Sequence, residues 1–205
     1  DPIEYYHSHG RGLVTQREVG IDVPDFSEAM RRALRQDPDV ILLGEMRDPE
    51  TIETAMTAAE TGHLVFSTVH SPGAAETISR IVTSFSPEAQ IGIRAKLAQN
   101  LRGVVSQRLI TRRAAAGRVP AVELLLGTPT VKEMVLEGRT RELAAALEEG
   151  HAYYGSQSFN QSLAGLVKDN LIDLEDALAA ADSPDELRLA LRGITKGTGT
   201  KRMAI

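Results

Sequence analysis

Two short apolar runs constrain this chain more than any other feature. Val40-Ile41-Leu42-Leu43 lies between Pro38 and Gly44, and Leu64-Val65-Phe66-Ser67-Thr68-Val69 follows Gly62. The first is apolar throughout and bounded by turn residues, which suits a strand buried on both faces, as in a parallel sheet, and the second reads as another buried strand. Asp48-Pro49 marks a helix start between them and Gly62 marks its end. A strand, a helix and a second strand in this rhythm imply parallel pairing through a right-handed crossover. The chain is therefore expected to be α/β with a mostly parallel sheet.

The flanking segments extend that frame. Residues 13–24 read as a short strand-and-turn region. Asp25 with Glu28 three residues on is a capping-box pattern, and Phe26, Ala29, Met30, Ala33 and Leu34 recur at helical spacing until Pro38. Ser71-Pro72 opens a further helix to about residue 84, and another covers about 87–101. Strands are expected over 104–110 and 119–126. Beyond Gly127 the pattern becomes a series of short helices, around 131–136, 141–148, 159–170, 174–181 and 184–191. The expected division is an α/β part over 1–127, a helical subdomain over 128–194, and a disordered tail over 195–205.

Composition removes several function classes. Of 205 residues, 42% are apolar and 25% charged, which is ordinary globular usage. The net charge of −5 argues against a chain-wide nucleic-acid surface. With no cysteine, a disulfide framework, a thiolate zinc site and a cysteine nucleophile are excluded. No apolar run approaches the roughly 18 residues of a membrane-spanning helix, so a soluble, cytoplasmic protein is the default expectation. The opening Asp1-Pro2, with no initiator Met, reads like a cut inside a longer protein.

Four groups of residues can carry chemistry. Glu45 stands just past the first buried strand, at the edge where α/β sheets bind ligands. A carboxylate there can orient and deprotonate an attacking water, or reach magnesium through water; equally, it can cap a helix or pair with Arg47. His63 and His70 bracket the second strand at opposite ends, so they cannot share a metal, and only His70 lies at the ligand edge. Arg31, Arg32, Arg35, Arg80, Arg94, Arg102 and Arg108 include candidates to reach phosphate across a subunit interface, although most such residues line solvated helix faces. Asp1 and Glu4 form an acidic pair that alone means little. No direct metal ligand is read from the sequence, and no GxxxxGKS or GxxxxGKT phosphate loop occurs in it.

In order, DPIEYYH at 1–7, QREVG at 16–20 and ALRQDPDVILLGEMRDPETIETAMTAAETGHLVFSTVHS at 33–71 resemble the PilT-like branch of the secretion-ATPase superfamily. The resemblance continues through IVTSFSP at 81–87, VVSQRLI at 104–110 and QSFNQSLAGLVKDNLIDLEDAL at 157–178. It implies a RecA-like P-loop NTPase core and a motor that couples ATP hydrolysis to pilus disassembly in twitching motility. Asp1 to Glu4 match the end of the family's aspartate box, residues 40–45 its atypical Walker B, and residues 63–70 its histidine box. Catalytic roles then fall to Glu4, Glu45 and His70, and nucleotide contacts to Asp1 and Arg80. The implied cofactors are ATP and Mg2+. The implied partners are a homo-hexamer and an inner-membrane pilus platform protein, with no nucleic acid, no direct membrane insertion, and a cytoplasmic location beside the pilus machinery. The absence of cysteine and the sequence GEMRD favour the retraction branch. TVKEMVLE at 130–137 matches the family's motif there only in part. A non-catalytic assembly module, or a paralogous pilus or type II secretion ATPase, is the alternative. Without a phosphate loop, these residues alone are expected to hydrolyse ATP negligibly.

Overall fold

Asp25 ends an extended stretch and starts helix α1 (Phe26–Ala33) by accepting the Glu28 N–H at 2.7 Å. Only this half of the expected capping box forms, because the Glu28 carboxylate turns to Arg31 and Arg32 instead. The structure, a computed structural model, describes residues 2–114 and 116–193; the expected tail over 195–205 lies outside them. No strand forms over 13–24, where Val19 and Val23 make a lone bridge around a turn.

Next come β1 (Val40–Leu42), α2 (Pro49–Glu60) and β2 (Leu64–Phe66), and the two strands pair in parallel, Ile41 opposite Val65. Asp48 caps α2 through the Thr51 N–H and hydroxyl, at 2.9 and 2.8 Å. At its other end Gly62 takes a φ of +99°, a left-handed turn that favours glycine. Met30 from α1, Ile41 and Leu43, and Ala55 and Ala58 from α2 form one apolar core.

That core lies on one side of the strands only. Ile41 and Leu43 are buried, while Val40 is 53% and Leu42 is 72% exposed, and Leu64 and Phe66 are exposed too. The expected burial on both faces is therefore corrected: side chains alternate across a strand, and helices α1 and α2 cover a single face.

Helices α3 (Ala74–Thr83) and α4 (Gln90–Asn100) precede strands β3 (Gly103–Thr111) and β4 (Arg118–Leu126). These strands do not join the parallel pair. They form their own antiparallel sheet, with Gln107 opposite Val122. The short link between them allows nothing else, since a parallel return needs a crossover of about a dozen residues. Gly117, at φ +101°, completes the turn.

The remaining helices are α5 (Pro129–Glu137), α6 (Leu143–Glu149), α7 (His151–Tyr154), α8 (Phe159–Lys168), α9 (Leu174–Ala180) and α10 (Pro184–Leu191). Contacts divide the chain into two compact units: Asp1–Ser71 with Thr77–Leu101 and Val135–Gly138, and Pro72–Glu76 with Arg102–Met134 and Arg139–Ile205. The first contains the parallel strands. In the second, the β3–β4 hairpin packs on α8, α9 and α10 rather than belonging with the earlier strands. Phe159, Leu163, Ile172, Ala177 and Leu187 close on Ile110 and Ala121, and the Arg108 guanidinium lies 3.8 Å over the Phe159 ring. The alternation of the hairpin supplies one apolar face, and the helices that follow in sequence bury it.

Candidate active site

Because β1 and β2 run parallel, the segments leaving their C-terminal ends emerge at the same edge. Their pairing continues past the strands: the Thr68 hydroxyl donates to the Gly44 carbonyl at 2.6 Å, and the Met46 N–H donates to the Thr68 carbonyl at 3.0 Å. This lock sets Glu45 beside His70, with His70 Nε2 at 3.1 Å from Glu45 Oε2. The other carboxylate oxygen, Oε1, is paired with Arg47 Nη2.

Glu45 is only 8% exposed, yet the side chains that hold it face solvent, Arg47 at 73% and His70 at 77%. The hydrogen bond and charge of Arg47, and then those of His70, keep the Glu45 carboxyl below its ordinary range against the opposing effect of burial. The group is thus a carboxylate at neutral pH, an acceptor able to take a proton. The His70 loop is fastened in turn. Arg80 Nη1, from α3, donates to the His70 carbonyl, and the Ser71 and Thr77 hydroxyls are 2.6 Å apart.

Of the residues singled out in the sequence, Glu45, His70 and Arg80 come together. His63 lies at the opposite end of β2, its Nδ1 3.0 Å from the Ala58 carbonyl and 3.1 Å from Thr61 Oγ1, where it closes the end of α2. Glu4 is exposed, and no hydrogen bond or ion pair joins it to Glu45 or His70. The nearby segment is tied down by the Ile3 N–H donating to Glu18. Asp1 lies outside the described residues. Among the other arginines, Arg31 and Arg32 pair with Glu28, and Arg108 pairs with Asp182.

Two features were not read from the sequence. Thr68 ties the two strand ends together, and the signal for it was a polar residue closing an apolar strand run. Glu123, in the second unit, is buried on β4 and accepts the Ala74 N–H at 2.6 Å, at the start of α3. Burial, and then the charges of Asp182 and Glu76, push its carboxyl up against that hydrogen bond. The parity of Glu123 with Ala121 and Leu125, both inward-facing, was the available signal.

The donor set fits nucleotide hydrolysis in part. A carboxylate and an imidazole stand at the ligand edge of a parallel pair, but the phosphate-cradling loop is not among these residues. No group of three or more His, Asp or Glu side chains among the described residues is placed to hold a metal ion. No helix among the described residues is long and apolar enough to cross a membrane.

Residues 1–171 match the family model described as type II/IV secretion system protein. The chain is 46% identical over 185 residues to the type IV pilus retractation ATPase PilT of Pseudomonas aeruginosa, covering 90% of this chain and 53% of that protein. It is 43% identical over 187 residues to a twitching motility protein of Neisseria gonorrhoeae, covering 91% and 50%. A crystal structure of the pilus retraction motor PilT with bound ADP superposes with a TM-score of 0.82 at 45% identity, covering 92% of this chain and 52% of that one. The chain spans about half the length of these relatives. The fold is that of the PilT ATPase structure, a mixed α/β arrangement with a small parallel sheet. A family match over most of the chain and a fold shared with a solved PilT structure lead to one conclusion: this chain belongs to the type II/IV secretion system protein family, in its PilT-like branch.

Proposed function

We propose that this chain is the hydrolytic part of a motor ATPase that retracts type IV pili, turning ATP hydrolysis into pilus disassembly. The observation that carries this reading is the Glu45–His70 pair at the C-terminal edge of the parallel strands, in a chain similar to PilT over nine-tenths of its length. Glu45 acts as general base toward the water that attacks the terminal phosphate. His70 holds the carboxylate plane through Oε2, and Arg80 holds His70 in place through its backbone carbonyl. Bound with the nucleotide, magnesium would neutralise charge on the phosphates. The working form is a homo-hexamer on the cytoplasmic side of the inner membrane, engaging the pilus platform protein. In the complete protein Glu4 is a further proposed catalytic acid, and Asp1 and Arg80 are the proposed nucleotide contacts.

The test is Glu45→Gln in the full-length protein that contains this chain. The amide is nearly isosteric but cannot accept the proton, so kcat should fall roughly 10²- to 10⁴-fold while nucleotide binding survives. Wild-type turnover in that variant would end the assignment of Glu45 as base. The 205 residues by themselves, having no phosphate loop, should show negligible turnover.

A further inference from the structure

Glu45 has two carboxylate oxygens, and each is engaged by a donor: Oε2 by His70 Nε2 and Oε1 by Arg47 Nη2. A carboxylate capped in this way is a weaker base than a free one, and one oxygen has to be uncovered before a water proton can be taken there. The two donors are held very differently. His70 is fastened to α3 through its own carbonyl and Arg80, and Ser71 beside it meets Thr77. Arg47 sits on the link between Glu45 and the cap of α2, its side chain 73% exposed. Among the described residues that side chain makes no other hydrogen bond or ion pair.

Resting on the hydrolytic reading above, we propose that Arg47 is a positioning residue that acts as a brake: it closes Oε1 of Glu45 in the resting site and must leave before Glu45 accepts a proton. His70 remains on Oε2 and keeps the carboxylate aimed. On release of Arg47, the water oxygen bonds to the terminal phosphorus and the bridging phosphorus–oxygen bond breaks. The departing diphosphate oxygen keeps that electron pair, and Oε1 holds the water proton until it passes to product or solvent. The guanidinium is largely solvated, so water can take over its hydrogen bonds as it leaves, while Glu45, only 8% exposed, keeps the bond to His70.

Arg47 and His70 touch it, Arg80 approaches from α3 behind His70, and Asp48 at the start of α2 is turned onto Thr51. Arg47 is thus the cation that most depresses the Glu45 carboxyl, so removing it should raise the basicity of that group.

The experiment is steady-state ATP hydrolysis by the full-length protein as wild type, Arg47→Gln and Arg47→Lys, across the acidic limb of the pH–rate profile, with thermal unfolding in parallel. Arg47→Gln should raise kcat about two- to five-fold, the scale of an ion pair whose cation is solvated. It should move the acidic limb to higher pH and leave KM for ATP and the melting temperature unchanged. Arg47→Lys keeps a cation there and should stay near wild type on the acidic limb. A kcat at or below wild type for Arg47→Gln, or an unmoved acidic limb, overturns the brake while leaving the hydrolytic reading in place. A wild-type protein without turnover overturns both.

Discussion

Replacing His63 and His70 separately by alanine tests the orientation of β2, on which the site depends. His63, half-buried at the start of the strand, donates from Nδ1 to the Ala58 carbonyl at 3.0 Å. That carbonyl belongs to the last turn of α2, and losing one such hydrogen bond costs about 1 kcal/mol net. For a chain of this size that is a fall of roughly 2–4 °C in melting temperature. Turnover should change little, because His63 is at the end of the strand remote from Glu45. His70 predicts the opposite pattern. Its side chain is 77% exposed, so alanine there should alter stability by no more than about 0.5 kcal/mol. Glu45 would lose the donor that aims its carboxylate, and kcat should drop by roughly ten-fold or more. The assay is paired ATPase kinetics and thermal unfolding of both variants in the full-length protein. If His63→Ala silences hydrolysis and His70→Ala does not, the parallel register that places Glu45 beside His70 is wrong.

Three further outcomes follow from the packing. Ile41→Ala should cost about 2–5 kcal/mol in denaturant unfolding of this chain, and Leu42→Ala no more than about 0.5 kcal/mol, because only Ile41 faces the helices; equal losses would mean that both faces are covered. Asp48→Ala should cost about 1 kcal/mol by uncapping α2. Hydrogen bonds from Thr51 hold the folded Asp48 carboxyl below its ordinary value, so this contribution is present above the unfolded value of about 3.9 and lost as pH falls below it. The difference between wild type and variant should shrink there, and a pH-independent difference would count against the charged cap. Glu123 has the reverse sign: burial raises its folded carboxyl, so stability falls as pH climbs from the unfolded value of about 4.3 to the raised one. Glu123→Gln keeps an acceptor for the Ala74 N–H and should flatten that fall in unfolding midpoints measured across this range; a variant with the wild-type slope would show that Glu123 titrates normally.

Much of the molecule was legible in the chain itself, because the signals are local. Asp25 and Asp48 cap the helices they were expected to cap, Gly62 ends α2, and the apolar runs become parallel strands. Once β1 and β2 are parallel, Glu45 and His70 must leave at one edge and His63 must sit at the other. Only the tertiary structure decided how those strands are covered. An all-apolar run states that both faces can be buried, but which face is buried depends on where helices pack, and α1 and α2 supply one layer. It also decided that β3 and β4 make a separate hairpin seated on α8–α10, a partnership between segments 40 to 74 residues apart that leaves no mark in local periodicity. The partners of the charged groups were likewise a matter of packing. Arg80 reaching the carbonyl of His70 and Glu123 receiving the Ala74 N–H depend on ångström-scale placement of residues brought together by the fold, whereas the pairing of Glu45 with Arg47, two residues on, was among the readings the sequence left open. Sequence spacing carries direction along an element, whereas ion-pair choice is set by which donors arrive within hydrogen-bond reach once the elements have packed.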